Sequence, residues 1–408
     1  MSQIQMANRK SKTQMTDAWS NTDDREFNLI NIIQENNASA LLDNWGPEQI
    51  FQVYDPEINM QGILVVDNTT LGPGCGGIKL SPHITPNNIF QHARTMTWAC
   101  ALAGVKLGGA AGGIRGNPLA IDKSKFIKSF AQKISPYVPN QYVAAPFPPI
   151  GKEEMAVFAE EVGDRKGAVG KPEHMGGIPQ ETGIIGLGMG VAIEECIKIV
   201  QSFPKNPSDI RIVIQGFEHI GRSLAQYLVN KGLKIIAISD DWCTVYDPKG
   251  INLDTILKYS CALTENTSLK RCKEITKLSK NDIQHIDCDI LVCTTGNCLV
   301  THENIQDINI KCIVEGINRP VTPVAEQIFH EKGVLVLPDT LTLVSSAVCS
   351  YAEYNMDSSE MAFSLMEKKI REVSQKVIDQ SLNSNIPPRR VAKEIARERI
   401  LQRMEAKA

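Results

Sequence analysis

The segment from Arg211 to Asp240 carries the most chemically specific spacing in the chain. An apolar run, Arg211-Ile212-Val213-Ile214-Gln215, leads into Gly216-Phe217-Glu218-His219-Ile220-Gly221; the stretch RSLAQYLVNKG follows, then Lys234-Ile235-Ile236-Ala237-Ile238-Ser239 and Asp240. Strand, glycine turn, helix, strand and acid form the order of a βαβ unit whose turn can cradle a pyrophosphate. In such a unit Gly216 permits the tight turn, Gly221 lets the helix approach the strand, and an acid at Asp240 reads a ribose hydroxyl. Asp240 reads equally well as an acid that simply ends a strand. The middle glycine position of the turn is Glu218. Two like charges about 4 Å apart at an effective dielectric near 20 repel by about 4 kcal/mol, roughly a thousandfold in affinity. The turn therefore predicts the shape of a nucleotide-binding unit with weakened nucleotide binding, unless Glu218 turns outward or pairs with Arg222.

Two further glycine clusters, Gly72-Pro73-Gly74-Cys75-Gly76-Gly77 and Gly108-Gly109-Ala110-Ala111-Gly112-Gly113, indicate close approach by a ligand or by another chain segment. The cations near them, Lys79, Lys106, Lys152 and Arg115, read as solvated or structural side chains, because lysine is rarely buried without a partner. His174 and His219 read as ordinary hydrogen-bonding histidines. Cys75, Cys100 and Cys349 are candidates to meet around one pocket, but no neighbouring residue type lowers a thiol pKa. Cys288, Cys293 and Cys298 are evenly spaced, yet the spacing fits a buried strand better than a zinc site, and no metal is expected.

These residues need elements to position them. The chain has 408 residues, 42% hydrophobic and 22% charged, which fits two domains of ordinary size. The formal net charge of -3 offers no electropositive footprint for nucleic acid or an anionic membrane. No apolar stretch is long enough to span a bilayer, so a cytoplasmic protein with reduced thiols is expected. Residues 1–25 are polar and aperiodic and predict a disordered segment. Helical periodicity begins at Phe27, a β-rich run at Ile63, and a helix is predicted from Asn88 to Ala103. The apolar runs DILVCTT, IKCIVEG and GVLVLPD extend the βαβ unit into a parallel sheet. The fold class that follows is α/β, with an N-terminal α/β substrate-type domain over 26–186 and a doubly wound Rossmann domain over 187–340. Helices over 341–408 are expected to pack back on the first domain.

Several motifs in order, NTTLGPGxGGI at Asn68 to Ile78, ARTMTWxCALAG at Ala93 to Gly104, GGAxGGI at Gly108 to Ile114, QGFxxIG at Gln215 to Gly221, VEGINRPVTPVA at Val314 to Ala325 and PDTL to SYAEY at Pro338 to Tyr354, resemble the glutamate/leucine/phenylalanine/valine dehydrogenases. The resemblance implies a cleft between two domains, an oligomer, and NAD(P)-linked oxidative deamination of an L-amino acid. It also implies a set of functional positions. The two lysines that bind substrate correspond to Cys75 and Ala99, the catalytic lysine to Ala111, and the proton-shuttling aspartate to Phe147. The threonine and asparagine set against the nicotinamide correspond to Ile185 and Leu343. Ser350 retains the serine of the substrate pocket.

Neither Ala111 nor Phe147 can carry a proton, and neither Cys75 nor Ala99 can clamp a carboxylate as an ammonium does. The expectation is a catalytically inactive member, with no catalytic residues, that keeps the scaffold for a regulatory or assembly role as a homo-oligomer or beside an active relative. The alternatives are an active NAD(P)-dependent oxidoreductase that uses displaced lysines, and an enzyme with altered chemistry in the same cleft.

Overall fold

The computed structural model describes residues 42–179, 183–258, 268–295, 300–301, 310–316 and 319–407. The expected disordered segment 1–25, the start of the helical run at Phe27, and Cys298 lie outside the described residues.

The first sheet contains β1 (Gln49–Asp55), β2 (Met60–Asn68), β3 (Gly74–Ser81), β4 (Gly108–Arg115) and β5 (Tyr142–Pro146), in the order β1-β2-β4-β3-β5. Its strands alternate in the side chains they give to each face. One face packs Ile63, Val65 and Ala111 against Ile89, Phe90 and Ala93 of helix α1 (Pro86–Ala103). The other packs Leu64, Val66, Ile78 and Ile114 against Phe130 of α2 (Lys123–Ile134) and Phe158 of α3 (Lys152–Val162). Helix α1 starts where Thr85 accepts from Asn88 N and Asn88 returns a bond to Thr85 N, and it stops at Gly104 with φ 70°. The glycines of β4 are there for this helix. A Cβ on Gly109 would stand 2.1 Å from Thr97 Oγ1, and one on Gly113 would stand 2.6 Å from Ile89 Cδ1. At these two positions it is a chain segment that makes the close approach.

Helix α4 (Ile184–Ile199) leads into the second unit and crosses the expected boundary at 186/187. The second sheet uses β6 (Arg211–Gln215), β7 (Lys234–Ser239), β8 (Thr244–Tyr246), β9 (Thr276–Leu278), β10 (Ile290–Cys293), β11 (Cys312–Glu315) and β12 (Leu335–Leu337), in the order β12-β11-β10-β6-β7-β8-β9. The five strands from β12 to β7 are parallel, and β8 and β9 run antiparallel at one edge. Parallel strands covered on both faces read as continuous apolar runs, which is why their positions were visible in the sequence. Helix α5 (His219–Asn230) follows the glycine turn; α6 (Leu253–Leu257) and α7 (Pro323–Glu331) lie further along.

The chain ends in α8 (Asp339–Thr342), α9 (Val344–Tyr354), α10 (Ser359–Ser384) and α11 (Pro388–Glu405). The last of these helices reaches the first domain. Arg399 of α11 donates to the carbonyls of Ala101 and Leu102, satisfying acceptors at the end of α1. One core of buried side chains runs from Cys75 and Trp98 through Ile212 to Val348 and Ile395, so the two sheets share the α9–α11 layer.

Candidate functional site

The cleft face of the first sheet is the face that carries α1. Along β3 the side chains of Cys75, Gly77 and Lys79 share this face, because they are spaced by two. Beside them stands Phe147, just after β5. A Cβ on Gly77 would lie 2.8 Å from Phe147 Cβ, so the aromatic residue packs directly on the β3 backbone.

The structure brings Cys75 and Ser350 together: the Ser350 side chain is near enough to favour the Cys75 thiolate, though less than burial disfavours it. Cys75 is near enough to raise the cost of ionising Cys100, while Cys349 lies one position before Ser350 on α9. All three thiols are buried and free. Burial pushes Cys75 and Cys349 up to about 12 and Cys100 well above the ordinary thiol value, so none is a thiolate at neutral pH. Ala99 and Ala111 are both fully enclosed, at 0% and 1% exposure, within the packing of α1. Ile185 and Leu343, the positions facing the nicotinamide by resemblance, are half-buried.

The pocket around Ser350 is lined by Pro146, Val169, Gly170, Ile178, Cys349 and Glu353, among others, and its free space is about 10 Å³. That is close to the least space one water needs. One lining residue, Glu353, belongs to an ion pair that the sequence did not single out. Lys171 Nζ lies 2.7 Å from Glu353 Oε1, with the two side chains 4% and 1% exposed. Glu353 also accepts from the backbone N–H groups of Gly170, Lys171 and Ile178, and Lys171 donates to the Ala168 carbonyl as well. Both Glu353 oxygens and two of the three Lys171 ammonium donors are engaged by the chain itself. The signal available in the sequence was Glu353 as the one charged residue in VSSAVCSYAEY, but its partner is remote in sequence.

A second missed contact lies at the mouth. Lys79 Nζ is 3.3 Å from His92 Nε2, the Phe147 ring centroid is 5.7 Å from Lys79 Nζ, and the rings of His92 and Phe147 meet edge to face at 5.0 Å. Burial lowers the pKa of Lys79 and holds His92 down at about 4, so the imidazole is neutral. Lys79, read from the sequence as a solvated or structural cation, is half-buried, with a ring and an imidazole as neighbours. Lys106, Arg115, His174 and His219 are exposed, and Arg115 donates to the Ile84 carbonyl and to Gln61. Lys152 is half-buried at the start of α3.

In the second unit Gly216 has φ 106°, and a Cβ on Gly221 would meet the Gly216 carbonyl oxygen at 2.0 Å. Both outer glycines of the turn are therefore required by the backbone itself. Glu218 is the exposed N-cap residue of α5 and makes no side-chain cap bond. The pairing weighed for Arg222 does not form; the Arg222 guanidinium donates to the Leu257 carbonyl at 3.4 Å, at the far side of its own helix turn. Asp240 accepts from the N–H groups of Trp242, Cys243 and Leu269, so its carboxylate organises its own loop. Thr294 donates to the carbonyls of Gln215 and Gly216, fixing the turn against β10.

At the carboxyl end of β11, Arg389 of α11 meets three carboxylates: Glu315, Asp339 at 2.8 Å and Glu326 at 2.9 Å. Burial drives Glu315 up to about 7 against the pull of Arg389. Among the described residues no group of three His, Cys, Asp or Glu could hold a metal ion, and no helix is long and apolar enough to cross a membrane. One thiol departs from the expected reduced state: Cys293, the last residue of β10, is disulfide-bonded.

Comparison with known proteins agrees with this architecture. The model of the Glu/Leu/Phe/Val dehydrogenase dimerisation domain matches residues 47–164, and the Glutamate/Leucine/Phenylalanine/Valine dehydrogenase model matches residues 176–408. The glutamate dehydrogenase of Aeropyrum pernix is 31% identical over 76% of this chain and 75% of its own length. The NAD-specific glutamate dehydrogenase of Staphylococcus aureus is 29% identical over 76% of this chain and 77% of its own. Among solved structures, the hetero-hexameric glutamate dehydrogenase of Thermus thermophilus in its leucine-bound form superposes with a TM-score of 0.79 at 22% identity, covering 96% of this chain and 97% of that one.

Proposed function

From the premise that this chain belongs to the glutamate/leucine/phenylalanine/valine dehydrogenase family, we propose that it is a member without dehydrogenase turnover, serving a regulatory or assembly role. The observation that carries this reading is the pocket beside Ser350, whose free space is about 10 Å³ and whose one charged lining residue, Glu353, is already paired with Lys171. An amino-acid substrate needs a cation for its carboxylate, a base for water and an acid for the departing amine. The positions that would supply them hold Cys75, Ala99, Ala111 and Phe147, none of which carries charge at neutral pH.

The fit of a dinucleotide is equally poor. Family relatives are named as NAD-specific and NADP-specific glutamate dehydrogenases, so NAD(P) is the group to test. Here an unpaired carboxylate, Glu218, caps the helix whose N-terminus would face the pyrophosphate, and Asp240 spends its oxygens on three backbone N–H groups. No step is derived through the nucleotide. A cytoplasmic oligomer, of this chain alone or with an active relative, is the assembly we infer; the hetero-hexameric glutamate dehydrogenase of Thermus thermophilus supports mixed assembly as a form open to the fold.

The test is a titration of purified protein with NADH and NADPH followed by nucleotide fluorescence, alongside turnover assays with L-amino acids and NAD(P). Weakened nucleotide binding and no turnover are expected. Turnover by the unmodified chain on any amino acid would sink the reading. The second reading, an oxidoreductase with a displaced lysine, is favoured by one observation, the half-buried Lys79 in the cleft; tight nucleotide binding with turnover lost in Lys79→Met would establish it.

A further inference from the structure

Lys79 is a half-buried amine on the face of the first sheet that carries α1. A lysine drawn out of water ordinarily takes a carboxylate partner. Among the described residues none pairs with Lys79: its neighbours are the Nε2 of His92 at 3.3 Å and the face of the Phe147 ring at 5.7 Å. His92 is neutral, so its Nε2 accepts a hydrogen bond from the amine and its Nδ1 carries the ring proton. Phe147, held on the Gly77 backbone and edge-on to His92, forms an apolar wall beside both. An amine oriented by an acceptor, walled by a ring and free of a counter-charge is the arrangement that makes lysine a nucleophile toward carbonyl carbon.

We propose that Lys79 reversibly captures a small carbonyl compound, an aldehyde or 2-oxo acid, as an imine in the cleft, with His92 as its positioning residue. This goes beyond the reading of the chain as a non-dehydrogenase, because imine formation requires neither a nicotinamide nor hydride transfer. The neutral amine attacks the carbonyl carbon, and the C=O pair moves to oxygen. A proton passes from nitrogen to that oxygen to give the carbinolamine. The hydroxyl then leaves as water with a solvent proton while nitrogen gives up its remaining proton to solvent. The net change is amine plus carbonyl to imine plus water, with nothing oxidised or reduced. The burial that lowers the Lys79 pKa enlarges the fraction of neutral amine available for the first step.

The experiment incubates the full chain with pyruvate or with propanal at neutral pH in the presence of cyanoborohydride, which reduces an imine to a stable secondary amine, and locates the adduct by peptide mass spectrometry. Exposed Lys106 in the same molecule is the internal standard. Lys79 is expected to be labelled at least about tenfold faster than Lys106. Phe147→Asp, which supplies the missing carboxylate, should bring the Lys79 rate down toward that of Lys106, and His92→Leu should lower it with Lys106 unchanged. Lys79 labelled no faster than Lys106 in the unmodified chain overturns the proposal, whatever the variants do. Because no nucleotide is present, that failure is independent of the outcome of the NADH titration.

Discussion

Lys171 Nζ lies 2.7 Å from Glu353 Oε1, closing the pocket beside Ser350 with residues that stand 182 positions apart in the chain. Glu353 gathers three backbone N–H groups in addition to the ammonium, so the turn at Gly170 and the segment at Ile178 are both tied to α9 through one carboxylate. A buried pair of this kind is costly to break from one side, since the remaining charge stays out of water. Glu353→Gln and Lys171→Met are each expected to destabilise the fold by about 3–5 kcal/mol in urea unfolding. The double variant should lose less than the sum of the two. A cost below about 1 kcal/mol for either single change would mean the pair is solvated in solution.

The Arg389 cluster predicts a pH dependence of definite sign. Glu315 titrates near 4.5 when exposed to solvent and is pushed up to about 7 in the fold by burial, with Asp339 and Glu326 adding to the rise and Arg389 opposing it. Between those values the unfolded chain has lost the proton that the folded chain still holds, so the Glu315 contribution to stability falls as pH rises from about 4.5 to about 7 and is flat beyond. Glu315→Gln, which mimics the protonated form, should be more stable relative to the parent at pH 7 than at pH 4.5. Equal differences at the two pH values would place Glu315 at its ordinary pKa.

What the sequence made legible follows from what leaves a local mark. The five parallel strands appear as apolar runs, and the turn from Gly216 to Gly221 declares itself because glycine is required where φ is 106° and where α5 meets the strand at the Gly216 carbonyl. The replaced positions Cys75, Ala99, Ala111 and Phe147 were found by resemblance, one residue at a time. Contacts between remote segments left no such mark. Nothing local in GIKL and IFQHAR says that Lys79 and His92 meet, because that depends on α1 lying across β3. For the same reason the partners of Lys171, Glu353 and Arg389 are silent in sequence: Glu353 meets Lys171, and Arg389 meets Glu315, only because the C-terminal helices fold back on segments remote in the chain.

The thiols offer a test of how closed the pocket is. Cys75, Cys100 and Cys349 are buried, and burial pushes Cys75 and Cys349 up to about 12, which leaves almost no thiolate at neutral pH. Under native conditions all three are expected to resist iodoacetamide, and all three to react after denaturation. Rapid native labelling of Cys75 or Cys349 would show that α9 separates from β3 often enough to admit a reagent, and hence a ligand larger than water.

Glu218 gives the last prediction a range that its exposure sets. At full solvent screening a phosphate charge about 4 Å away is opposed by about 1 kcal/mol, and at an effective dielectric near 20 by about 4 kcal/mol. The corresponding losses in affinity run from about fivefold to about a thousandfold. Glu218 is exposed and has no side-chain partner at the N-terminus of α5, so screening acts on it directly and the lower part of that range applies. Glu218→Gly should therefore raise NADH affinity at least about fivefold at low ionic strength, and the gain should shrink as added salt shortens the screening length. The helix N-terminus then presents its N–H groups to the pyrophosphate without a competing carboxylate. Fluorescence titration of parent and variant at two salt concentrations measures both effects. An unchanged affinity at low salt would show that the obstacle to nucleotide lies elsewhere, with Asp240 and its three backbone donors as the next group to release, by Asp240→Ala.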